Sequence, residues 1–296
     1  MIGGFGGPGV AFAVLAAFVW GGYLFVIKSF FDGYPASVLV AGINAAAFCW
    51  YLPVAFITLP PNAPLLSGSL GATALLFMLA VVVVTALATG AMFRALAVGD
   101  VSYVAPVSKI VPVFVLPLEV VLLDEHLSTV QIAGVVTATF AVYLMNYRGG
   151  GLLVPLRKAA TYRPAQFALL SAALFGVVDV SRRVALQEFT IPPRVWVLGL
   201  FGGMALLATP VAIRAWSGGT RRDLPKFVGT ALFAVAGEHL TALAFDIAPA
   251  SIASPIINTQ AVVAVLLGGV VLHEERLRSR LGAAAIAVVG VALIAA

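Results

Sequence analysis

Three titratable side chains lie deep inside apolar runs, where a charge needs a physical reason. Lys109 belongs to the run 101–123, and Glu238 belongs to the run 227–247 with His239 beside it. A charged residue at the centre of a membrane helix costs about 2.5–3.5 kcal/mol, so such residues tend to serve a function. An ammonium there can hold a carboxylate or phosphate, and a buried carboxylate next to an imidazole can exchange protons near neutral pH. We therefore predict substrate binding by Lys109 and proton coupling by Glu238 and His239.

Each of these predictions has a structural alternative. Lys109 can snorkel to the interface or pair with a neighbouring carboxylate. Glu238 can form a structural ion pair, for example with Lys109. Adjacent residues on a helix point about 100° apart, so Glu238 and His239 cannot face the same spot. One of the two therefore faces a cavity while the other packs.

Further polar and aromatic residues accompany these candidates. Lys109 shares a helical stripe with Ser102 and Pro106, and Asn258 shares one with Pro255. A proline early in a span frees a backbone carbonyl that can line a cavity, so these two runs are the predicted walls of a central path. Aromatic residues on the first run suit either a cavity wall or packing. The predicted substrate-binding residues are Lys109, Asn258, Trp20, Tyr23, Asn44, Ser102 and Ser254.

Another charged group has a structural explanation. Asp179 lies three and four residues before Arg182 and Arg183. This spacing lets the charges neutralise one another on a single helix. We favour that pairing over a substrate role because it explains the spacing without a ligand.

Two acidic turns and one isolated carboxylate complete the set. The turns 124–126 and 273–275 each offer two carboxylates and an imidazole, and each precedes a predicted helix. Negative charge at that position caps free amides, so we predict capping rather than catalysis or metal binding. Glu119 lies near the end of its run and is expected to reach the interface. No catalytic residue and no metal site is predicted.

The composition places all these residues in a membrane. Of the 296 residues, 62% are apolar and 10% are charged, against roughly 45–50% and 25% in soluble domains. The net charge of +5 comes from basic residues in short gaps between apolar runs, which argues for membrane topology and against a nucleic-acid partner. Ten runs are candidates to cross the hydrocarbon, namely 8–31, 36–59, 70–98, 101–123, 129–146, 165–189, 195–216, 227–247, 251–272 and 281–296.

The two halves of the chain match each other. The segment 98–106 corresponds to 247–255 at a constant offset of 149, and an acidic turn follows after each. Near the start of each half, Lys28 corresponds to Arg183 at an offset of 155. The chain is therefore predicted to contain five spans repeated once.

An odd number of spans dictates the arrangement of the copies. Five spans begin and end on opposite faces, so the second copy enters the membrane upside down. The predicted fold class is an all-α integral membrane protein with ten transmembrane helices in two inverted five-helix repeats. These repeats are residues 8–146 and 165–296, joined by a basic loop at 147–164. Such repeats are a common plan of secondary transporters, which alternate access to a site near the midplane.

Several segments resemble a known family. The stretch VWGGYLFVIK, the segments SYVAP and SIASP, and the turns DEHL and EERL are similar to the paired EamA domains of the drug/metabolite transporter superfamily. The resemblance covers nearly the whole chain. It implies a ten-helix exporter, most often of amino acids or other small metabolites, that works without ATP. One feature departs from the family pattern. The basic residue that is common early in the family's second span is absent from this chain, where Asn44 is the nearest polar group.

The predicted function is a secondary transporter in the inner cell membrane that exports small metabolites, with amino acids the leading class. No GxxxxGK[ST] loop is present, so neither ATP hydrolysis nor a cofactor is expected. Two other functions stay open: a flippase or transporter of a lipid-linked or phosphorylated sugar, and, as the weaker alternative, an intramembrane enzyme acting on lipid phosphate. The expected partners are a small-molecule substrate, the lipid bilayer and a coupling proton, with the protein a monomer or homodimer.

Overall fold

The chain is mainly helical in the part that the structure describes. A computed structural model describes residues 7–31, 33–59, 71–98, 104, 107–146, 151–158, 161–216, 220–271 and 277–296. No strand occurs in these residues. The helices are α1 (Pro8–Phe30), α2 (Ala36–Ile57), α3 (Ala72–Val98), α4 (Val111–Leu123), α5 (Thr129–Asn146), α6 (Val154–Lys158), α7 (Arg163–Arg183) with a π-helical turn (Val184–Glu188), α8 (Pro193–Ala215), α9 (Thr220–Ile247), α10 (Ala250–Asn258), α11 (Gln260–Val271) and α12 (Leu277–Ala295).

Several of these helices are suited to crossing a membrane. Seven helical segments within the described residues are long and apolar enough to do so, which confirms the predicted all-helical membrane class. The fourth, fifth and tenth predicted spans contain shorter apolar helices of 10–17 residues. Large apolar side chains point outward from the bundle, with Phe18, Leu76 and Val121 being 60%, 66% and 80% exposed. Such a surface favours contact with lipid over contact with water.

Two of the predicted spans are interrupted. The fourth was expected to be continuous, yet α4 begins only at Val111, after a turn at Lys109. The ninth is divided at Thr259 into α10 and α11. Pro112 lies in the first turn of α4 and cannot donate a backbone hydrogen bond to the preceding turn, which explains the first break. Pro255 lies inside α10, before the second break. Interrupted membrane helices of this kind often form binding sites.

The helices of the two halves pack against each other. The main contacts join α5 with α12, α2 with α8, α1 with α9, and α3 with α7. Additional contacts join α1 with α10 and α11, α2 with α9, α3 with α8, and α4 with α7 and α10. Glycines permit the close approach of α5 and α12, because a Cβ atom at Gly290 would lie 2.5 Å from the Ala138 backbone nitrogen.

Contacts between helix ends define two faces of the bundle. We call the end at which α1 begins the proximal face, where a Cβ atom at Gly9 would lie 2.8 Å from the Ala248 Cβ at the end of α9. The rings of Phe77, near the start of α3, and Phe189, after α7, are 4.9 Å apart at this same face. We call the opposite end, where α2 begins, the distal face.

Candidate functional site

A cavity of about 440 Å³ lies inside the bundle. Its walls come from α1, α2, α3, α7, α8, α9 and α10, from the turn before α4, and from the first residues of α4 and α11. The lining residues of α2 and α3 belong to the halves of those helices nearer the distal face, so the cavity extends in that direction. Seven of the predicted substrate-binding and proton-coupling residues line it, namely Trp20, Tyr23, Asn44, Lys109, Glu238, Ser254 and Asn258.

Two of these residues lie at or directly beside the breaks in the interrupted spans. Lys109 lies in the turn before α4, and Asn258 is the last residue of α10. They correspond to each other at the repeat offset of 149. No hydrogen bond or ion pair joins the Lys109 ammonium to another residue in the described part of the chain. The Asn258 side-chain amide donates to the Ser254 backbone carbonyl at 2.9 Å.

A cluster of three charges forms a second part of the cavity wall. The Arg182 guanidinium contacts the Asp179 carboxylate at 3.5 Å and the Glu238 carboxylate at 3.0 Å. It also faces the ring of Phe245, 5.2 Å from the ring centroid. The Ser254 hydroxyl donates to the second Asp179 oxygen at 2.5 Å, which links α10 to α7. One guanidinium therefore serves two carboxylates, so an ionised cluster carries an excess negative charge.

This cluster contains the expected pair on α7 and one partner that sequence reasoning did not assign. Asp179 pairs with Arg182, whereas Arg183 points elsewhere. Glu238 pairs with Arg182 and not with Lys109, the partner offered as an example from the sequence. Since Arg182 and Glu238 lie on different helices, only tertiary structure could join them.

His239 does not line the cavity. A 2.7 Å hydrogen bond joins its Nδ1 to the hydroxyl of Tyr51, which is fully buried. Glu238 faces the cavity instead, in agreement with the expectation that only one of the two adjacent side chains can do so. Ser102, the remaining predicted substrate-binding residue, lies outside the described residues.

Aromatic and amide side chains complete the walls. The Trp20 indole nitrogen donates to the Thr241 hydroxyl at 3.0 Å, and the Trp20 and Tyr23 rings form an edge-to-face pair with centroids 5.1 Å apart. The Asn44 side-chain nitrogen donates to the Val40 carbonyl at 2.8 Å. These contacts fix the ring orientations and leave an apolar wall beside the charged groups.

A second buried polar cluster, outside the cavity, corrects the expectation for Glu119. This side chain does not reach the interface, because it is 0% exposed. Its two carboxylate oxygens accept hydrogen bonds from the backbone nitrogens of Ala250 and Ser251, at 2.6 Å each. The Arg183 guanidinium contacts it at 2.8 Å. The sequence feature that could have marked Glu119 as buried is the one that marked Lys109, namely an isolated charged residue inside an apolar run.

The acidic turn after α4 also behaves differently from its prediction. Glu125 does not cap the next helix but contacts Arg183 at 2.7 Å. A capping box does that work, since the Gln131 backbone nitrogen donates to the Ser128 hydroxyl and the Ser128 backbone nitrogen donates to the Gln131 side chain. Asp124 ends α4 in the left-handed conformation. In the second acidic turn, residues 273–275 lie outside the described residues.

Comparison with known proteins places the chain in a family. The sequence model of the EamA-like transporter family matches residues 7–147 and 163–296. One solved crystal structure is similar with a TM-score of 0.77 and 15% sequence identity, covering 97% of this chain and 97% of that chain, which shows a shared fold. Among proteins with curated descriptions, none matches this chain. The family match covers nearly the whole chain and confirms the resemblance noted in its motifs: this protein belongs to the EamA-like transporter family, within the drug/metabolite transporter superfamily.

Proposed function

We propose that this protein is a secondary transporter of the inner cell membrane. It exports amino acids, or closely related zwitterionic metabolites, across that membrane by alternating access. The observation that carries the proposal is the pairing of opposite charges in one cavity. Lys109 offers a cation without a described partner, and the Arg182 cluster offers an excess carboxylate. An amino acid presents the complementary carboxylate and ammonium.

The packing of the helices supports the inverted-repeat arrangement that alternating access needs. Exchange of the two halves would place α1 on α7, α2 on α8, and α3 on α9. Under that exchange the contact of α1 with α9 becomes the contact of α7 with α3, and both contacts occur. Likewise, the contact of α2 with α9 becomes that of α8 with α3, which also occurs. Lys109 at the first break and Asn258 directly before the second follow the same correspondence.

The charge balance of the cluster supports coupling to protons. When the cavity holds no substrate, a proton on Asp179 or Glu238 removes the excess negative charge beside Arg182. A substrate ammonium removes the same excess charge. Proton and substrate therefore compete for one site, which is the requirement for exchange of the two across a membrane. His239 is left outside this step because its ring nitrogen bonds to Tyr51.

Transport by the purified protein in liposomes tests this function. We would measure flux of radiolabelled amino acids and of phosphorylated sugars, with and without a pH gradient. Lys109→Met should reduce amino-acid flux about 10- to 100-fold, the value of one lost charge-assisted hydrogen bond. Lys28→Met removes an exposed lysine from the end of α1 and is the matched control.

Three outcomes would contradict the proposal. Equal flux in Lys109→Met and in the unsubstituted protein would remove Lys109 from the site. Flux of phosphorylated sugars without flux of amino acids would establish the alternative substrate class. Amino-acid flux that is insensitive to the pH gradient, at every gradient tested, would exclude proton coupling.

A further inference from the structure

The buried cluster around Glu119 ties together four chain segments at the proximal face. Glu119 lies near the end of α4 and accepts from two backbone nitrogens at the start of α10. Arg183, at the end of α7, contacts Glu119 and Glu125 and donates to the Gln187 side chain at 3.0 Å. Gln187 in turn donates to the carbonyls of Phe245 and Ala248, at 2.7 and 3.1 Å, where α9 ends. We call Glu119, Glu125, Arg183 and Gln187 the Glu119 lock.

The lock is electrostatically complete. Two carboxylates face one guanidinium, and the remaining negative charge lies at the N-terminus of α10, where the helix dipole is positive. Both Glu119 oxygens accept hydrogen bonds. All three side-chain nitrogens of Arg183 donate, one each to Glu119, Glu125 and Gln187. Such a network is stable while intact and strongly destabilised when one member is removed.

The lock also determines where part of the cavity wall stands. It holds the first two backbone nitrogens of α10, and the same nine-residue helix carries Ser254 and Asn258 into the cavity. A displacement of the start of α10 would therefore move both side chains. The lock connects the proximal ends of α4, α7, α9 and α10, whereas the cavity extends toward the distal face.

The second half of the sequence does not repeat the Glu119 carboxylate. Arg183 corresponds to Lys28, but Glu119 corresponds to Gly268 or Gly269, at the offsets of 149 and 150 that relate the flanking segments. A glycine supplies no side-chain acceptor for a helix N-terminus. The contacts of the Glu119 carboxylate with the start of α10 therefore have no counterpart at the matching position of the second half.

We infer that Glu119 is a positioning residue for this transporter: together with Arg183 it holds α10 and keeps the proximal face closed, and each transport cycle requires this contact to open. The inference rests on the proposed function, since it assumes that the cavity is reached from each face in turn. Opening at the proximal face separates α10 from α4 and α7. The contacts of Glu119 and Arg183 then break, and water hydrates their charges instead.

Sidedness of chemical labelling tests the lock without any substrate. Cys49 is the single cysteine of the chain. In a Cys49→Ala background, Ile257→Cys would place a thiol on the cavity wall. Membrane vesicles of both orientations would then be treated with an impermeant maleimide. We expect the parent protein to react from the distal face, and Glu119→Gln to react about 10- to 100-fold faster than the parent from the proximal face.

A milder variant keeps the test decisive if Glu119→Gln does not fold. Glu125→Gln removes one carboxylate from Arg183 but leaves both hydrogen bonds to α10, and the Glu125 side chain is 26% exposed, so the fold should tolerate it. It should increase proximal labelling about 3- to 10-fold. Asp223→Asn, which breaks an ion pair at the distal end of α9, is the matched control and should leave proximal labelling unchanged.

The outcomes separate this inference from the proposed function. Unchanged proximal labelling in a folded Glu119→Gln or Glu125→Gln variant would overturn the lock. Glu119→Asp should partly restore the parent pattern, because the charge is kept and the reach is shortened. If labelling responds as expected while no amino acid is transported, the lock stands and the substrate class fails. If amino acids are transported while labelling does not respond, the substrate class stands and the lock fails.

Discussion

Arg182 and Arg183 are consecutive residues of α7 with nearly equal exposure, 10% and 11% of their side chains, yet their surroundings differ. Arg182 faces the cavity, where its Nε atom has no hydrogen-bond partner among the described residues and two carboxylates share its charge. Arg183 belongs to the Glu119 lock, where its Nε and both terminal nitrogens donate to acceptors at 2.7–3.0 Å. An incompletely satisfied cluster is open to a ligand or proton, whereas a satisfied cluster holds helices together.

The position of these two residues links the cluster to the lock. They point about 100° apart on one helical turn, so a shift of that turn changes both sets of contacts. A π-helical turn at Val184–Glu188 follows directly, and such turns are frequent where a helix serves a function. The π-helical turn also ends at the proximal face, close to the helix ends that the lock joins.

The largest expected effect comes from removing the anchor of the lock. Glu119→Ala leaves the Arg183 charge with Glu125 alone and two backbone nitrogens of α10 without acceptors. We expect the free energy of unfolding to fall by about 3–5 kcal/mol, the usual result of breaking a buried ion pair. Thermal unfolding in detergent, followed by size-exclusion chromatography, measures the loss. A loss below about 1 kcal/mol would show that the lock does not stabilise the fold.

Arg182→Gln should have a smaller effect on stability and a larger effect on transport. Without the guanidinium, one of the two carboxylates can take up a proton, which limits the destabilisation to about 1–3 kcal/mol. Transport should be lost because the cluster no longer alternates between proton and substrate. Adding Glu238→Gln should restore stability but not transport. Recovery of transport in that double variant would contradict the role given to the cluster.

Trp20→Phe should change the cavity wall without changing the Glu119 lock. The change keeps an aromatic wall but removes the hydrogen bond to Thr241, which contributes about 0.5–1.5 kcal/mol. We expect KM to rise by about 2- to 10-fold while kcat and proximal labelling stay the same. A change in proximal labelling would mean that the cavity wall and the lock are not separate.

The smallest effect is expected at the distal face. The Asp223 carboxylate accepts a hydrogen bond from the Tyr34 hydroxyl, which raises the pKa of that phenol, and pairs with Lys226 at 2.9 Å. Because the Lys226 side chain is 44% exposed, Asp223→Asn should change the free energy of unfolding by less than about 1 kcal/mol. A loss as large as that of Glu119→Ala would show that both faces are locked by ion pairs.

Much of the fold follows from the sequence because membrane helices are governed by hydropathy. The apolar runs predicted the helices, and most observed ends lie close to the predicted ones. The exceptions are the starts of α4 and α9, which lie at Val111 and Thr220 where the runs were expected to begin at 101 and 227. The interruptions were harder to predict. Pro112 and Pro255 marked the two spans concerned, but a proline inside an apolar run is compatible with either a bend or a break. The structure shows the break, at Lys109 in one span and at Thr259 in the other.

The candidate site was predictable where it depended on single residues and not where it depended on contacts between helices. Lys109, Asn258 and Glu238 are polar groups in apolar runs, and all three line one cavity, although their roles stay predictions. The partners of Glu119 could not be inferred, since they arise from the meeting of α4 and α7 with the start of α10. The prediction that Glu125 caps α5 was wrong, because Ser128 lies nearer the start of that helix and forms the cap itself.

In the mechanism that we propose, a substrate ammonium and a proton compete for the Arg182 cluster. The most direct test is proton release by the purified protein in detergent, followed with a pH indicator in weakly buffered solution as amino acids are added. We expect release of about one proton per bound amino acid by the parent protein, and no release by a Glu238→Gln variant that still binds substrate. Amino-acid binding without proton release by the parent protein, or unchanged release in Glu238→Gln, would contradict it.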